Sequence, residues 1–497
     1  MKLLVYSEVN AETIASSLGQ SEYSYYFVLK EFLPVLRQLG EVQLVKDPMQ
    51  EVDRLYTQAR HRGEKCVFLS FTPPHKTPLG LSCPTVPVMA WEFDTIPSEH
   101  WFGERAQDWR YGLGKWGRCI THSGMTVAAV QAEMGADYPV VSIPAPVWDK
   151  YAALRQRLAA QPRRERLTLT VRSGVLLDSH DASFLQCLPD HDAVVLAVAA
   201  ARNPHGANCK AAALPTVREE SLLRITYRYA IEWYRLVGRE LFADWQMLAK
   251  HRLLGHPLPE PIKPDLKVEK PLWQPGEHRL ELSGVVFTTL FNPGDGRKNW
   301  VDMLTAFCVA FRDCDDATLV FKLGSTDYES AINDMLICMA RLPRFACRVV
   351  LLTGFLEGTD FESLIEASHF VVNASYGEGQ CLPLMEFLSC GRPAVAPRNS
   401  AMLDYIDEEV GFVVDGWLHA RAWPQDPRAA FRTCQQQIDW ESLVKAYKAA
   451  YECFKQTPER YVQLSQNAVV RMENHCSHRV AEERLREFLH INEAHLP

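Results

Sequence analysis

Short β-branched apolar runs alternate with amphipathic helical stretches in two separate blocks of this chain, one over residues 1–150 and one resuming at Gly284. A strand that feeds a helix and then a second strand returns as a parallel crossover. Each block therefore predicts a doubly wound parallel sheet with helices on both faces. In the first block, strands are expected at 3–6, 42–45, 66–70, 86–90, from Ile120 and at 140–143, with helices over 25–39 and 123–134. In the second, strands fall at 285–290, 318–323, 348–352, 370–373 and 394–396, and helices at 300–312, 328–341, 360–367 and 382–390. At 497 residues the chain has room for two or three cores. Two such sheets with a crevice between them receive ligands at the carboxyl ends of their strands.

Residues 151–280 break the pattern. They carry a basic cluster (Arg163, Arg164, Arg166), a proline-rich run over 257–275 and one long helical stretch over 219–254. They read as an insertion and linker. Residues 281–450 then form the second Rossmann-like domain, and 451–497 a polar helical tail.

A formal net charge of −8 argues against a general nucleic-acid binder, which needs a basic face. No apolar run reaches the roughly 18 residues of a membrane span. The apolar opening, Leu3 to Tyr6, is too short for a secretory leader and is followed at once by Glu8. The 14 cysteines are irregularly spaced and include no Cys-x-x-Cys pair, so reduced, buried thiols are expected instead of disulfides or zinc. A cytoplasmic location follows as the expectation.

The segment Ser375-Tyr-Gly-Glu-Gly-Gln-Cys-Leu-Pro-Leu-Met-Glu386 carries the most chemistry. An expected strand ends in a loop with Gly377 and Gly379, and a helix opens near Leu382. Loop amides and the positive end of a helix make an anion site suited to a diphosphate. The two glycines allow close backbone approach and unusual dihedrals. Glu378 lies on the loop and Glu386 about one turn into the helix, so both can face one ligand and accept hydrogen bonds from sugar hydroxyls. Taken alone, two such glutamates are ordinary solvated charge; the strand, loop, helix start and following Gly391-Arg-Pro-Ala-Val strand entry give them a shared context. A second cationic turn, Asn292-Pro-Gly-Asp-Gly-Arg-Lys-Asn-Trp300, follows the first strand of this block.

Glu378-(x)7-Glu386 followed by Cys390-Gly-Arg-Pro-Ala-Val resembles the signature of retaining glycosyltransferases of the GT-B fold, similar to glycosyltransferase family 4. The resemblance covers about residues 284–490 well and 1–150 more loosely. It implies an α/β, GT-B architecture: two doubly wound Rossmann-like domains facing a central cleft, here with an inserted helical segment. Residues 1–150 would take the acceptor and 281–450 the nucleotide-sugar donor, with the 451–497 helices crossing back to the first domain. It implies that Glu378 contacts the transferred sugar and Glu386 holds the donor ribose. The backbone at Gly377, Gly379, Gln380, Cys381 and Leu382 would lie against the phosphates. Lys298, followed by Asn299, matches the family's cationic turn, and Arg297 is assigned beside it to the leaving diphosphate. The family more often separates its Arg and Lys by several residues, so a solvent-facing Arg297 stays open. The backbone at Gly354, Phe355 and Leu356 would meet the nucleobase.

On the acceptor side the resemblance points to the strand end at Trp91, Glu92 and Asp94, with Trp91 either stacking on a sugar or packed in the core. It also points to the first loop (Gly19, Gln20, Ser21). His122, which ends a later strand facing the same crevice, is a further candidate, with a structural role as the alternative. The activity implied is transfer of a hexose, with retention, from a nucleotide-diphosphate sugar to a saccharide, glycolipid or other hydroxyl, as in polysaccharide biosynthesis. A nucleotide-sugar epimerase, a sugar phosphorylase and a non-catalytic scaffold are the alternatives. Asp313-Cys314-Asp315 matches a metal-binding Asp-x-Asp pattern but falls in a polar turn, so no metal and no cofactor are expected. On the 219–254 helix, Arg224, Arg228, Arg235 and Arg239 fall within about 60° of one another at roughly 100° per residue. That stripe suits a membrane surface or glycolipid, a solvated face or a dimer contact.

Overall fold

The computed structural model describes residues 1–19, 22–100, 103–161, 163, 166–181, 184–188, 221–254, 273, 275–423, 426, 428 and 430–491. The chain divides into two compact units, residues 1–190 with 273–497, and residues 191–272.

Two larger, mainly parallel sheets organise the described residues of the first unit. Strands β1 (Lys2–Tyr6), β2 (Glu41–Leu44), β3 (Cys66–Ser70) and β4 (Thr85–Pro87) pair in the order β2-β1-β3-β4, all parallel. A bridge from Val88 to Ile120 leads to the parallel pair β5 (Cys119–Thr121) and β6 (Val140–Ser142). Leu3 and Val5 face one core and Leu4 the other, so β1 is buried on both faces, as a crossover strand must be.

After β7 (Arg166–Gly174), β8 (Leu176–Asp178) and β9 (Gly276–Ser283), the second sheet is built from β10 (Val285–Phe291), β11 (Ala317–Leu323), β12 (Arg348–Leu352), β13 (Phe370–Val372), β14 (Ala394–Pro397) and β15 (Gly411–Val414). Its order is β15-β14-β13-β10-β11-β12-β8. Val286, Val320 and Val350 enter the core shared with β1, while Phe287, Leu319 and Val349 pack under the helices Trp300–Ala310 and Trp440–Gln456 with Phe307 and Tyr447. The hairpin β16 (Gly416–Ala422) and β17 (Arg432–Ile438) follows. Both doubly wound sheets expected from the sequence are thus present.

Element boundaries agree with the sequence reading to within a few residues. The segment 151–280 does not. It was expected to be insertion and linker only, yet β8 closes the edge of the second sheet, antiparallel to β12, and β7 pairs with β9. Arg348 forks onto the Asp178 carboxylate to hold β8 in place. An antiparallel edge strand contributes little periodic signal, and the basic residues beside it hide it in the sequence.

The tail forms helices Pro458–Cys476 and His478–Ile491. The first packs on helix Leu382–Ser389 and the last on helix Ser24–Leu39 of the first sheet, where Arg484 donates to the Ser142 carbonyl at 2.8 Å.

In the second unit, helix Leu222–Trp233 runs through a π turn, Tyr234–Gly238, into helix Arg239–Leu254. The single uninterrupted helix is therefore corrected. The i→i+5 turn changes the rotation per residue, so the register relating Arg224 to Arg239 is not kept. Tyr227, Tyr229, Trp233, Tyr234 and Trp245 are exposed. Among the described residues no helix is long and apolar enough to cross a membrane, and the described cysteines are all free.

Candidate functional site

A cavity of about 1330 Å³ lies at the carboxyl ends of β10, β11 and β12 and the loops after β1, β4 and β13. Its chemical centre is Glu378. The carboxylate is buried and accepts from Lys298 Nζ at 2.7 and 2.8 Å, Arg297 Nη1 at 3.0 Å, Ser375 Oγ at 2.6 Å and Asn373 Nδ2 at 3.2 Å. Burial alone would raise its pKa; Lys298 and Arg297 outweigh that and hold it well below the usual carboxylate range. Glu378 therefore stays ionised and acts as an acceptor of hydrogen bonds.

Arg297 turns into the cavity, not to solvent. Its Nε lies 3.1 Å from Glu92 and 3.0 Å from Asp295, and its Nη1 donates to the Gly377 carbonyl at 2.7 Å. Glu92 follows β4, so this guanidinium ties the first sheet to the second across the cavity. Burial pushes the Glu92 carboxyl up; Arg297 opposes this, and Asp295 and Glu378 add to it.

The loop geometry corrects one expectation. The left-handed residue in it is Cys381, φ 61°, at the start of helix Leu382–Ser389, and neither Gly377 nor Gly379 has positive φ. The glycines are needed for packing instead. A Cβ on Gly377 would come within 2.8 Å of the Glu92 carbonyl, and one on Gly379 within 3.1 Å of Ala90 Cβ and Trp91 N. Gly379, Gln380, Cys381 and Leu382 line the cavity, whereas Gly377 sits behind them. The Gln380 amide oxygen accepts from Ala145 N at 2.8 Å.

Glu386 also lines the cavity, and it already has partners. Lys150 Nζ donates to it at 2.7 Å and Tyr151 OH at 3.0 Å, and Lys150 reaches on to Glu31 at 2.6 Å. Burial alone would lower the Lys150 pKa; the two flanking carboxylates raise it well above the ordinary lysine range. Beyond β12, Gly354, Phe355 and Leu356 form an apolar wall, with the Phe355 ring 6.3 Å from Phe27. Lys30 and Glu357 close that end as an ion pair.

Other expected residues fall elsewhere. Gly19 lines the cavity and accepts from Asn292 Nδ2 at 2.9 Å, while Gln20 and Ser21 lie outside the described residues. Trp91 touches the cavity, but its ring packs among Phe93, Trp109 and Trp423 and its Nε1 donates to the Thr95 carbonyl, which is core packing, not a free stacking face. Asp94 accepts from Thr433 Oγ1 and Cys434 N and so anchors β17 away from the cavity lining. His122 is buried behind β5, with Nδ1 2.8 Å from the Ile143 carbonyl, and does not line the cavity. Asn299 is a left-handed turn residue that bonds Asp302, Ala374 and Tyr376 and does not line it either. Among the described residues, no group of three or more His, Cys, Asp or Glu side chains is placed to hold a metal ion.

The sequence reading missed Glu31, Lys150, Tyr151 and Lys322. Lys150 stands at the domain boundary, where no periodic element marks it. Lys322 did carry a signal, as a lone charge inside the apolar run Thr318-Leu-Val-Phe-Lys-Leu323.

The sequence model for the family described as Glycosyl transferases group 1 matches residues 295–433, from Asp295 through the Glu378 loop to β17. No curated protein matches the chain by sequence. Among solved structures, the chain is similar to Anabaena HepE in complex with UDP and glucose, at 11% identity over 98% of each chain with a TM-score of 0.46. It is also similar to sucrose-phosphate synthase from Thermosynechococcus elongatus, at 10% identity over 99% of each chain with a TM-score of 0.47. A glycosyltransferase from Rickettsia africae ESF-5 is a third, at 9% identity over 99% of this chain and 98% of that one, TM-score 0.46. Over residues 295–433, which hold Lys298, Glu378 and Glu386, this chain is similar to the group 1 glycosyl transferases.

Proposed function

We propose that this chain is a retaining GT-B hexosyltransferase of the family 4 kind, moving a hexose from a nucleotide-diphosphate sugar to a hydroxyl of a saccharide, glycolipid or other acceptor. One observation carries the reading: Lys298, Arg297 and Glu378 form a buried charged cluster on the cavity that Glu386 and the start of helix Leu382–Ser389 also line. In the proposed step the acceptor oxygen bonds to the anomeric carbon on the face from which the diphosphate departs. The bond from that carbon to the diphosphate oxygen breaks with its electron pair, and the acceptor proton passes to the departing oxygen. Lys298, Arg297 and the helix end stabilise the charge that builds there. Glu378, kept ionised, accepts from sugar hydroxyls, and Glu386 accepts from the ribose, sharing or releasing Lys150. Glu92, across Arg297 from Glu378, is positioned to meet the acceptor hydroxyl.

No metal enters this step, so a chelator should leave the initial rate of transfer unchanged; a rate restored only by a divalent cation would refute that part. The test of the whole reading is a thermal-shift panel of nucleoside diphosphates and nucleotide sugars on the intact chain and on Glu386→Ala. One strong responder is expected with the intact chain, weakened in the variant. No response to any member overturns the reading, and an unchanged response in Glu386→Ala removes the ribose assignment.

A further inference from the structure

Lys322 is the penultimate residue of β11, a strand whose residues from Ala317 to Leu323 are all buried. In the parallel register it stands between Leu290 of β10 and Leu352 of β12, two apolar neighbours. Its side chain is buried, yet it lines the cavity. Its ammonium makes one hydrogen bond, 2.9 Å to the Leu323 carbonyl, and has no carboxylate partner among the described residues. An ammonium has three donors, and burying it without a counter-charge is costly. Burial holds its pKa down at about 8.

The other cations of the cavity are differently placed. Lys30, Lys150, Arg297 and Lys298 each hold at least one carboxylate, and Arg421, half-buried at the rim, bonds the Gln437 amide oxygen. Arg297 and Lys298 carry two positive charges against the three carboxylates of Glu92, Asp295 and Glu378. The cations of that cluster are already shared with these carboxylates as they face the leaving phosphate, whereas Lys322 holds no carboxylate among the described residues.

Its place in the sheet says which part of a ligand it meets. Across the strand order β13-β10-β11-β12, the charged cluster follows β13 and β10, and the apolar wall of Phe355 and Leu356 follows β12. Neighbouring strands lie about 4.8 Å apart, so the end of β11 sits between a polar sugar end and an apolar base end. Resting on the nucleotide-sugar reading above, we propose that Lys322 is the counter-charge for the donor's diphosphate, gripping the phosphate on the nucleoside side. It is a positioning residue for the donor, distinct from the cluster at Glu378.

The test compares binding of a nucleoside with binding of its diphosphate by calorimetry, in the intact chain and in Lys322→Met. The base is the one that responds in the thermal-shift panel. The diphosphate should bind at least tenfold more weakly to the variant, while the nucleoside binds equally to both. Met matches the length of the lysine stem and removes a buried charge, so the empty variant should melt no lower than the parent; should it fail to fold, Lys322→Gln takes its place in the same comparison. Equal diphosphate affinity in parent and variant overturns the assignment alone. Equal weakening of nucleoside and diphosphate also overturns it, because that is the mark of a distorted pocket. A parent chain that binds no nucleoside diphosphate overturns the nucleotide-sugar reading and this assignment with it.

Discussion

Glu378 shows how one residue serves both stability and chemistry. Its buried carboxylate pairs with Lys298 and shares Arg297 with Glu92 and Asp295. Removing one partner of such a set costs about 3–5 kcal/mol, so Glu378→Ala should lower unfolding stability by that amount in urea titrations. A loss under about 1 kcal/mol would mean the cluster is solvated. Lys298→Met should cut the rate of transfer by about 10²–10³, the usual effect of losing one group that stabilises a leaving charge.

His122 belongs at this scale too, as a structural residue. Burial pushes its folded-state pKa down to about 4, against 6.5 unperturbed. The sign follows from which form folding favours. The folded protein prefers the neutral ring, so the contribution is full above pH 6.5 and is lost as pH falls toward 4. Over that window it amounts to about 3 kcal/mol. Urea midpoints measured from pH 7 to 4.5 should fall less steeply in His122→Gln than in the parent. Parallel pH slopes would show that His122 is not the group responsible.

At the scale of elements, the loop into helix Leu382–Ser389 depends on Cys381 at φ 61°. A residue with a Cβ pays about 1–2 kcal/mol to be left-handed, and a β-branched one more. Cys381→Gly should fold at least as stably as the parent, and Cys381→Val should fall below it by more than 1 kcal/mol in the same unfolding assay. Equal stability for both variants would mean that the loop relaxes to another conformation. This left-handed position was not legible in the sequence, because two glycines nearby were the natural candidates and were used for close approach to Glu92 and Trp91 instead.

On the scale of the whole molecule, the tail joins what the alternation of strands left as two separate sheets. Helix His478–Ile491 buries Ala481, Leu485 and Leu489 against the first sheet's side of the shared core. Leu485→Ala should cost about 2–5 kcal/mol. The melting transition should stay single if the two sheets unfold together through that helix. A variant that melts in two steps would show that the sheets are independent. The same whole-molecule arrangement brings Glu92, Lys150 and Tyr151 to residues more than 200 positions away in the chain.

Local sequence determined the strands, the helices and the identity of the charged loop residues. Period-two and helical patterning report burial within one element, and Glu378 and Lys298 sit near element ends that such patterning marks, with Glu386 about one turn into the helix that follows. Only the tertiary structure decided what those residues touch. Lys150 reaches Glu386, Glu92 reaches Arg297, and Lys322 is left without a counter-charge among the described residues, through side chains brought together by chain crossovers that no local pattern encodes. The edge strand β8 and the packing roles of Gly377, Trp91 and Asp94 were hidden for the same reason: each depends on a neighbour supplied by a distant part of the chain.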